Sequence, residues 1–518
     1  MTGLTLLFAL YSSGLKLNPP GFYLDESAPA YNAYLVAHTG AAEFGQRFPL
    51  FFQYYTDTNT QLGCPTQVYM LAALFRFFPP SILLARMFSA FWVFSACILL
   101  GLLARQISGR LTVGIIVGGT ALLTPWLFEG RGLLLEPQFI PMALAPFLLA
   151  VYHAQGKERW GWLEAAMIAA ALALVTYCYT SGRLLGPLLG LGLLLFATSK
   201  QRLVGVIKTG LLYGLTLVPI LVFNWRNPGV MTKRLHEISY IKPGVPWSSA
   251  ISQFIKRYLE DQSLLSLLVN GDYHPRHHVP GSGGAFFFAT FILVLIGLII
   301  VIASRRRDPW WRFVLYGLAV AVIPGAISVE PFHGMRLMAY PVFLIVLTVP
   351  ALEWLLARGE LKSDSSLSPA EEDGEALSEH APPPERRLPG DGWPRSIRLG
   401  LLGLLLALTC VEAYRFQTVF RRDGPNRLFD FDVHYKTAYD AAIKQRSRPI
   451  YLEDGKWGPA YIHALWYATV EKRPRSQFVH LKPGTRPPPG GVVISSAEGC
   501  QRCERITQAG VYQVYKAL

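Results

Sequence analysis

Long apolar runs separated by short polar segments dominate the chain up to residue 417. A helix that crosses a membrane needs roughly 20 consecutive, mainly apolar residues. Runs of about that length lie at 1–17, 82–104, 111–128, 135–154, 162–179, 183–198, 203–223, 285–303, 312–329, 337–357 and 398–417. The pattern predicts an all-α integral membrane protein with a bundle of about eleven transmembrane helices. The first run lacks a basic segment and a clear cleavage site, so we expect an uncleaved helix.

One further periodic segment, PTQVYMLAALFRF at 65–77, is too short to join this set. Its Val68, Leu71 and Phe75 share one side of a helix. At about 1.5 Å per residue the helix reaches about 20 Å, short of the roughly 30 Å hydrocarbon core. We therefore predict an interfacial helix that does not span the membrane.

Basic residues cluster in one set of the loops between these runs. If the N-terminus is cytoplasmic and the runs alternate, the inner loops are 104–110, 155–160, 198–202, 304–312 and 358–397. Each contains Lys or Arg close to a helix end, as cytoplasmic loops do. The outer face then receives the first outer loop (18–81), the second outer loop (129–136), the short break 180–182, the long loop (224–284), 330–336 and everything after 418.

Composition divides the chain further. Residues 1–357 are predicted to form the transmembrane module and 398–417 the last transmembrane helix. Between them, 358–397 is rich in Ser, Pro and Glu, which predicts a disordered cytoplasmic linker. After 418, RPIYLED, SQFVHL, GVVISS and VYQVYKA are typical of strands and PAYIHALWYATVE of a helix. Residues 418–518 are therefore predicted to be a small α/β extracytoplasmic domain.

Overall composition supports a membrane protein. Hydrophobic residues make up 52% of the chain and charged residues only 16%, against about a quarter charged in soluble domains. The net charge of +14 fits basic cytoplasmic loops, and no basic cluster interleaved with aromatics indicates nucleic-acid binding. Six scattered cysteines include one C-x-x-C, Cys500 and Cys503, which is too few ligands for a structural zinc site.

Side chains able to do acid–base or anion chemistry concentrate on the predicted outer face. They are Asp25 and Glu26 in GFYLDESAPAYNAYLV, Glu129, Arg131 and Glu136 in PWLFEGRGLLLEP, Asp272, His274, His277 and His278 in NGDYHPRHHVPG, and Glu330, His333 and Arg336 in EPFHGMR. A carboxylate can accept the proton of an acceptor hydroxyl, and arginines can hold a phosphate leaving group. Glycosyl transfer from a lipid-phosphate sugar needs both a carboxylate base and a cation that holds the phosphate.

The motifs resemble those of the GT-C membrane glycosyltransferases, and more closely glycosyltransferase family 39, which includes the protein O-mannosyltransferases and the aminoarabinose–lipid A transferase. The matching segments, in the order of the family over roughly residues 1–360, are FYLDESAPAYNAYLV, CPTQVYMLAALFRFFPPSILLARMFSAF, LTPWLFEGRGLLLEPQF, LVTYCYTSGRLLGPLL and FHGMRLMAYPVFLI. The resemblance implies sugar transfer from a polyprenyl-phosphate donor to a lipid, glycan or protein acceptor at the outer face.

The resemblance also implies roles for particular residues. Asp25 would be the main catalytic carboxylate, with Glu26 completing an acidic pair and Glu136 matching a second-loop carboxylate that is usually Asp. The implied donor-phosphate residues are Arg336, His333, Arg131 and Arg86. Asp272, His277 and His278 are further candidates.

The sequence departs from the family at QLGCP, residues 61–65. The aminoarabinose enzyme has a Glu-Lys pair where Gly63 and Cys64 stand here. The departure removes a metal-ligand carboxylate and a phosphate-binding lysine, which argues against a divalent metal cofactor and against aminoarabinose as the sugar. The metal therefore stays unknown, with the histidines of the long loop as the possible compensation.

Simpler structural roles stay open for these residues. Asp25 is a preferred helix-capping residue type, Glu136 can complement a helix dipole, and Arg336 can anchor at the interface. The long-loop histidines can be merely solvated. In LFDFDVHY, Asp430 and Asp432 resemble a metal-binding D-x-D, but we expect no such role on a face that nucleotide sugars do not reach.

Two other functions also remain open. A lipid-linked polysaccharide polymerase or ligase would depend on arginines in two large outer loops. A lipid or sugar transporter would instead depend on a charge near the bilayer midplane, usually within repeated halves, and the sequence shows no such repeat. The expected location is the bacterial inner membrane.

Overall fold

The computed structural model describes residues 2–56, 61–357, 393–482, 484–497 and 503–518. Most of the predicted linker, residues 358–392, and Cys500 of the C-x-x-C lie outside the described residues. Helices dominate up to residue 423: α1 (Thr2–Tyr11), α2 (Leu24–Thr39), α3 (Pro65–Phe77), α4 (Ile82–Ser108), α5 (Leu111–Leu123), α6 (Pro125–Gly130), α7 (Phe139–Gln155), α8 (Trp162–Cys178), α9 (Gly182–Gly192), α10 (Lys200–Arg226), α11 (Val230–Ile238), α12 (Trp247–Glu260), α13 (Phe288–Ile300), α14 (Pro309–Ala326), α15 (Tyr340–Val346), α16 (Thr348–Leu355) and α17 (Arg395–Asp423).

Several of these helices are apolar along a membrane-spanning length. Those long enough and apolar enough to cross a bilayer are Ile82–Ser108, Glu136–Gln155, Lys200–Arg226, Phe288–Arg305 and Arg395–Asn426. Shorter apolar helices are Leu111–Leu123, Trp162–Cys178, Gly182–Phe196 and Tyr340–Leu355. A helix therefore lies at each predicted run, which confirms a mainly helical membrane protein. Length and composition do not confirm the predicted number of eleven spans.

The short helix predicted at 65–77 has those bounds in α3. Pro65 occupies its first turn, where a missing N–H costs nothing. The apolar side formed by Val68, Leu71 and Phe75 is buried, and α3 packs mainly against α2. The apolar side of this helix therefore packs against protein.

Tight packing fixes the bundle next to α3. Helices α4 and α5 form the most extensive helix pair, and they approach closely at Gly101. A Cβ atom at Gly101 would lie 2.7 Å from the carbonyl oxygen of Gly114, so only glycine allows this approach. Small residues at the contact are typical of helices packed within a membrane.

The C-terminal part is a small α/β domain, as predicted. Strands β1 (Phe52–Tyr54) and β2 (Gln61–Gly63) form a separate antiparallel pair in the first outer loop. The elements of the C-terminal domain are α18 (Val433–Ile443), β3 (Ile450–Glu453), α19 (Tyr461–Val470), β4 (Phe478–His480), β5 (Val492–Ser495), β6 (Cys503–Ala509) and β7 (Tyr512–Ala517). The sheet order is β4-β3-β5-β7-β6. Strand β3 pairs in parallel with β4 and β5, while β7 pairs antiparallel with β5 and β6.

Two elements of this domain were not predicted. Strand β6 lies at the sheet edge and is largely solvent-facing, so its sequence carries little apolar alternation. Helix α18 follows the D-x-D segment and is stabilised by packing on β6 and β7. Helix α19, which was predicted, packs against α2, where Phe22 stacks on Trp466 at 5.4 Å between ring centroids.

Candidate active site

The first candidate carboxylate, Asp25, lies in the first turn of α2. It is partly exposed, and its Oδ1 accepts a 2.6 Å hydrogen bond from the Tyr55 hydroxyl. Tyr55 is buried with a φ of 66°, which is uncommon for a bulky residue. Burial and the Asp25 charge raise the pKa of Tyr55 well above its ordinary value, so the phenol stays protonated. Within the described residues this is the one hydrogen bond of the Asp25 side chain, which leaves Oδ2 available.

Capping of α2 is done by other residues. The N-cap position is Tyr23, whose backbone N–H donates to Glu26 Oε2 at 3.0 Å. The next N–H, that of Leu24, donates to Asp432 Oδ2 at 3.2 Å. Asp25 is therefore not required as the cap, and its carboxylate is directed to Tyr55.

Glu26, the neighbour of Asp25, is completely buried and paired with Arg86. Arg86 Nη2 lies 3.2 Å from Glu26 Oε2, and Glu26 Oε1 accepts from the Leu134 backbone N–H at 3.0 Å. Arg86 also donates to the carbonyl oxygens of Pro19, at 2.6 Å, and Gly21. Because protein groups occupy both side chains, the structure places Glu26 and Arg86 in the support of α2.

The second-loop carboxylate, Glu136, reaches the same region from the start of a 3-10 turn, Glu136–Gln138. Its Oε1 accepts a 2.6 Å hydrogen bond from the backbone N–H of Cys64, the residue before α3. Burial, followed by the charges of Glu136 and Asp25, raises the pKa of Tyr54 well above its ordinary value. The Tyr54 side chain packs directly against Gly63, the neighbour of Cys64, and the ring centroids of Tyr54 and Tyr55 lie 6.2 Å apart. Asp25, bonded to Tyr55, and Glu136, bonded to Cys64, therefore border one site.

A cation that the sequence did not single out lies beside Glu136. Arg183, in α9, donates from Nη2 to Cys64 Sγ at 3.5 Å, and its guanidinium lies 4.3 Å from the centre of the Phe51 ring. Its Nε is buried without a hydrogen-bond partner among the described residues. Such a donor is costly to leave unsatisfied, so Arg183 is suited to receive an anion.

The sequence held one signal for Arg183. It follows the short polar break 180–182, which the predicted topology places on the outer face, where basic residues are rarer. The positive-inside rule therefore does not account for an arginine at this position. The contact with Cys64 could not be read from the sequence, because the two residues are 119 positions apart.

Arg131 does not point to the carboxylates. It is buried, and it donates to the backbone oxygens of Tyr11, Phe128 and Ser13 at 2.7, 3.0 and 3.4 Å. Its guanidinium also stacks 3.5 Å from the centre of the Phe128 ring. Arg131 therefore connects α1 to the second outer loop.

The remaining predicted residues form a second cluster between the long loop and the segment before α15. Arg336 Nη1 lies 2.8 Å from Glu330 Oε2. Glu330 Oε1 lies 3.6 Å from His274 Nε2, and Glu330 Oε2 lies 3.7 Å from His333 Nε2. Burial lowers the pKa of His333 to about 2, with further lowering by His277 and Arg336. His333 is therefore neutral.

Asp272 orders this cluster. Its Oδ2 accepts from His277 Nδ1 at 2.9 Å and from the Gly334 backbone N–H at 2.6 Å, and its Oδ1 accepts from the His274 backbone N–H at 2.9 Å. Burial opposes ionisation, but the bond and charge of His277 outweigh it and bring the pKa of Asp272 down to about 2. Asp272 therefore links the two segments as a carboxylate.

His278 lies apart from its neighbours. Its Nδ1 bonds with Glu129 Oε2 at 2.6 Å, and Glu129 Oε1 accepts from the Val279 backbone N–H at 2.8 Å. Burial opposes protonation of His278, but the Glu129 carboxylate outweighs it and raises the pKa. This buried pair holds the long loop against the second outer loop.

Comparison with known proteins adds one finding. No family model matches the sequence, and no curated protein matches it. The structure is similar to that of ArnT from Cupriavidus metallidurans bound to undecaprenyl phosphate, with a TM-score of 0.57 and 11% identity over 99% of this chain and 98% of that chain. The apo state of the same protein gives a TM-score of 0.54 and 13% identity over the same shares. The chain therefore has the GT-C fold that its motifs predicted.

Proposed function

We propose that this protein transfers a sugar from a polyprenyl-phosphate donor to an acceptor at the outer face of a membrane. The observation that carries the proposal is the meeting of Asp25, Glu136 and Arg183 in one site of a GT-C fold. The two carboxylates come from separate outer loops and can supply a base. Arg183, whose buried Nε has no partner among the described residues, can supply an anion site. The solved neighbour ArnT is bound to undecaprenyl phosphate, which is a donor carrier of this class.

Asp25 is proposed as the general base. Its Oδ2, which has no hydrogen-bond partner among the described residues, can accept the proton of an acceptor hydroxyl while the Tyr55 hydroxyl holds Oδ1. Glu136 is proposed to orient the acceptor or the sugar from the second outer loop. Glu26 is assigned to support of Asp25, because its oxygens are bonded to Arg86, Tyr23 and Leu134.

Arg183 and Arg336 are proposed to bind the donor phosphate. The resemblance to family 39 places a phosphate-binding lysine at the position of Cys64, and Arg183 contacts the Cys64 sulfur. Arg183 thus brings a positive charge from α9 to the position that the lysine occupies in the family. Arg336 lies in the second cluster, paired with Glu330, and is only about one-eighth exposed. Arg131 and Arg86, in contrast, are committed to backbone carbonyls.

The proposed setting follows the positive-inside pattern. The N-terminus and the linker face the cytoplasm, residues 1–357 form the catalytic module, and the C-terminal domain faces outward. The bacterial inner membrane is the proposed location. The competing function is that of a lipid-linked polysaccharide polymerase or ligase, or of a lipid or sugar transporter.

The test is a donor screen with the full-length protein in lipid nanodiscs. Polyprenyl-phosphate sugars are supplied with lipid, glycan and peptide acceptors, and release of free polyprenyl phosphate is measured. We expect release by the wild type and a loss of about 10²- to 10⁴-fold in Asp25→Asn. Asp423→Asn, which changes a carboxylate about one-third exposed at the end of α17, is the matched control. Lipid movement without release from any donor would support the transporter instead.

A further inference from the structure

The cluster of His274, His277, Glu330 and His333 has the composition of a metal site. Its potential ligand atoms fall into two groups that share His333, and within each group they lie within 4.8 Å of one another. The first group is Asp272, His277 and His333, and the second is His274, Glu330 and His333. The cluster thus contains three imidazoles and two carboxylates drawn from two separate segments.

The separations inside the cluster are those of ligands around an ion. The His274 Nε2–Glu330 Oε1 and His333 Nε2–Glu330 Oε2 distances, 3.6 and 3.7 Å, exceed the range of a direct hydrogen bond. Two ligand atoms about 2.1 Å from a tetrahedral ion lie about 3.4 Å apart. The gaps between Glu330 and the two imidazoles therefore match a shared cation better than direct pairing, while Glu330 Oε2 also pairs with Arg336 at 2.8 Å.

The imidazoles also face one another. Ring centroids lie 5.6 Å apart for His274 and His333, 4.7 Å for His277 and His333, and 5.1 Å for His274 and His277. The Nδ1 atom of His333 is buried without a hydrogen-bond partner among the described residues. No neighbouring group therefore fixes the tautomer of this ring.

The surroundings of His277 orient it as a ligand. Its Nδ1 is bonded to Asp272, which leaves Nε2 with a free lone pair when Nδ1 carries the proton. A ligating histidine almost always donates its second nitrogen in this way. Gly334 permits the arrangement, since a Cβ atom there would lie 2.9 Å from Asp272 Oδ2. Asp272 thus acts as the outer partner of the site.

We propose that His274, His333 and Glu330, with His277 as the fourth ligand, bind a zinc ion that joins the long loop to the segment before α15. Imidazole-rich sets with one carboxylate are typical of zinc, whereas magnesium requires oxygen ligands. No residue of 61–65, where the sequence departs from family 39, takes part in the site. The proposal does not depend on glycosyl transfer.

The test measures bound metal on the full-length protein carrying no histidine tag. The protein is stripped with a chelator, loaded with zinc chloride, passed over a desalting column and analysed for zinc by mass spectrometry. We expect about one zinc per chain in the wild type and in His236→Ala, an exposed histidine of the same long loop. His333→Ala and Glu330→Gln should each weaken zinc binding by more than about 100-fold, and Asp272→Asn by about 10- to 100-fold.

Two further measurements keep the result decisive. His274→Ala changes a side chain that is one-third exposed, so it tests the site even if His333→Ala does not fold. Zinc should also raise the apparent melting temperature of the wild type and not that of His274→Ala. The proposal is overturned if the wild type retains no stoichiometric zinc. It is equally overturned if zinc is lost in Cys503→Ser and kept in the histidine variants.

Discussion

The carboxylate of Asp432, in the C-terminal domain, accepts a hydrogen bond from the backbone N–H of Leu24, the residue before the candidate base. The same carboxylate accepts from the Tyr512 hydroxyl at 2.8 Å and lies 3.2 Å from His463 Nε2. His463 continues through Nδ1 to Ser27 Oγ at 2.9 Å, within α2. The D-x-D that resembled a nucleotide-sugar motif is thus the point where the C-terminal domain holds the start of α2.

Asp432→Ala should therefore reduce turnover without changing the chemistry. Loss of the acceptor leaves the Leu24 N–H and the His463 ring without their partner, which costs about 1–3 kcal/mol. We expect kcat to fall while the KM for the donor stays nearly constant, and Asp432→Asn to recover part of the loss. Asp430→Ala is the control, since the Asp430 side chain makes no hydrogen bond among the described residues. Equal effects of both alanine variants would contradict the positioning role.

Tyr55→Phe should lower the transfer rate while keeping the shape of the site. It removes the 2.6 Å bond to Asp25, and a hydrogen bond to a charged group contributes about 1.5–3 kcal/mol. The expected loss in kcat is about 10- to 100-fold. Tyr69→Phe is the control, because its hydroxyl donates only to the Pro49 carbonyl, away from the carboxylates. An unchanged rate in Tyr55→Phe would show that Asp25 needs no such support.

Arg183→Gln should weaken donor binding. If Arg183 holds a phosphate oxygen, its removal costs about 1.5–3 kcal/mol, or about 10- to 100-fold in Kd. Arg336→Ala should give a loss of the same order. Binding of polyprenyl phosphate can be followed by its displacement of a fluorescent lipid phosphate. Arg226→Gln, an exposed arginine at the end of α10, changes the charge equally and should leave Kd unchanged.

The Glu26–Arg86 pair should matter for stability more than for chemistry. Removal of one partner leaves a fully buried charge uncompensated, which typically costs about 3–5 kcal/mol. Arg86→Ala and Glu26→Gln should each lower the apparent melting temperature in detergent. The double variant Glu26→Gln/Arg86→Met should lose less than the sum of the two, because no charge is then left buried alone. Strict additivity would contradict the pairing.

Glu43 should make stability depend on pH. Burial raises its pKa to about 7, although a hydrogen bond from Tyr461 and the charges of Arg475 and His480 oppose the shift. In the unfolded chain a glutamate titrates near 4.3. Stability from the protonated form is therefore complete below about pH 4.3 and is lost as pH rises to about 7.

Comparison of the wild type with Glu43→Gln measures this effect. The two should have similar apparent melting temperatures near pH 5, and the Gln variant should be the more stable at pH 8. A difference that does not change with pH would show that Glu43 is ionised in the folded protein throughout. The contact also joins the first outer loop to α19, so loss of stability should be visible in proteolysis of the C-terminal domain.

The sequence alone determined the fold class and most of the elements. Apolar runs of spanning length predict helices because a bilayer demands internal hydrogen bonding, and α3 appears with the predicted bounds. The paired strands of the C-terminal domain carry apolar residues that bury one another. The order of the motifs likewise predicted the GT-C fold, and the structure has this fold although its sequence identity to ArnT is only 11%.

Only the tertiary structure decided how the candidate residues divide their roles. Asp25 and Glu26 are adjacent in sequence, yet successive residues of a helix point to different sides, so one meets Tyr55 and the other Arg86. Arg183 reaches Cys64 across 119 positions. Asp432 reaches Leu24 across 408. Such contacts depend on how helices and domains pack, and no pattern along the chain predicts them.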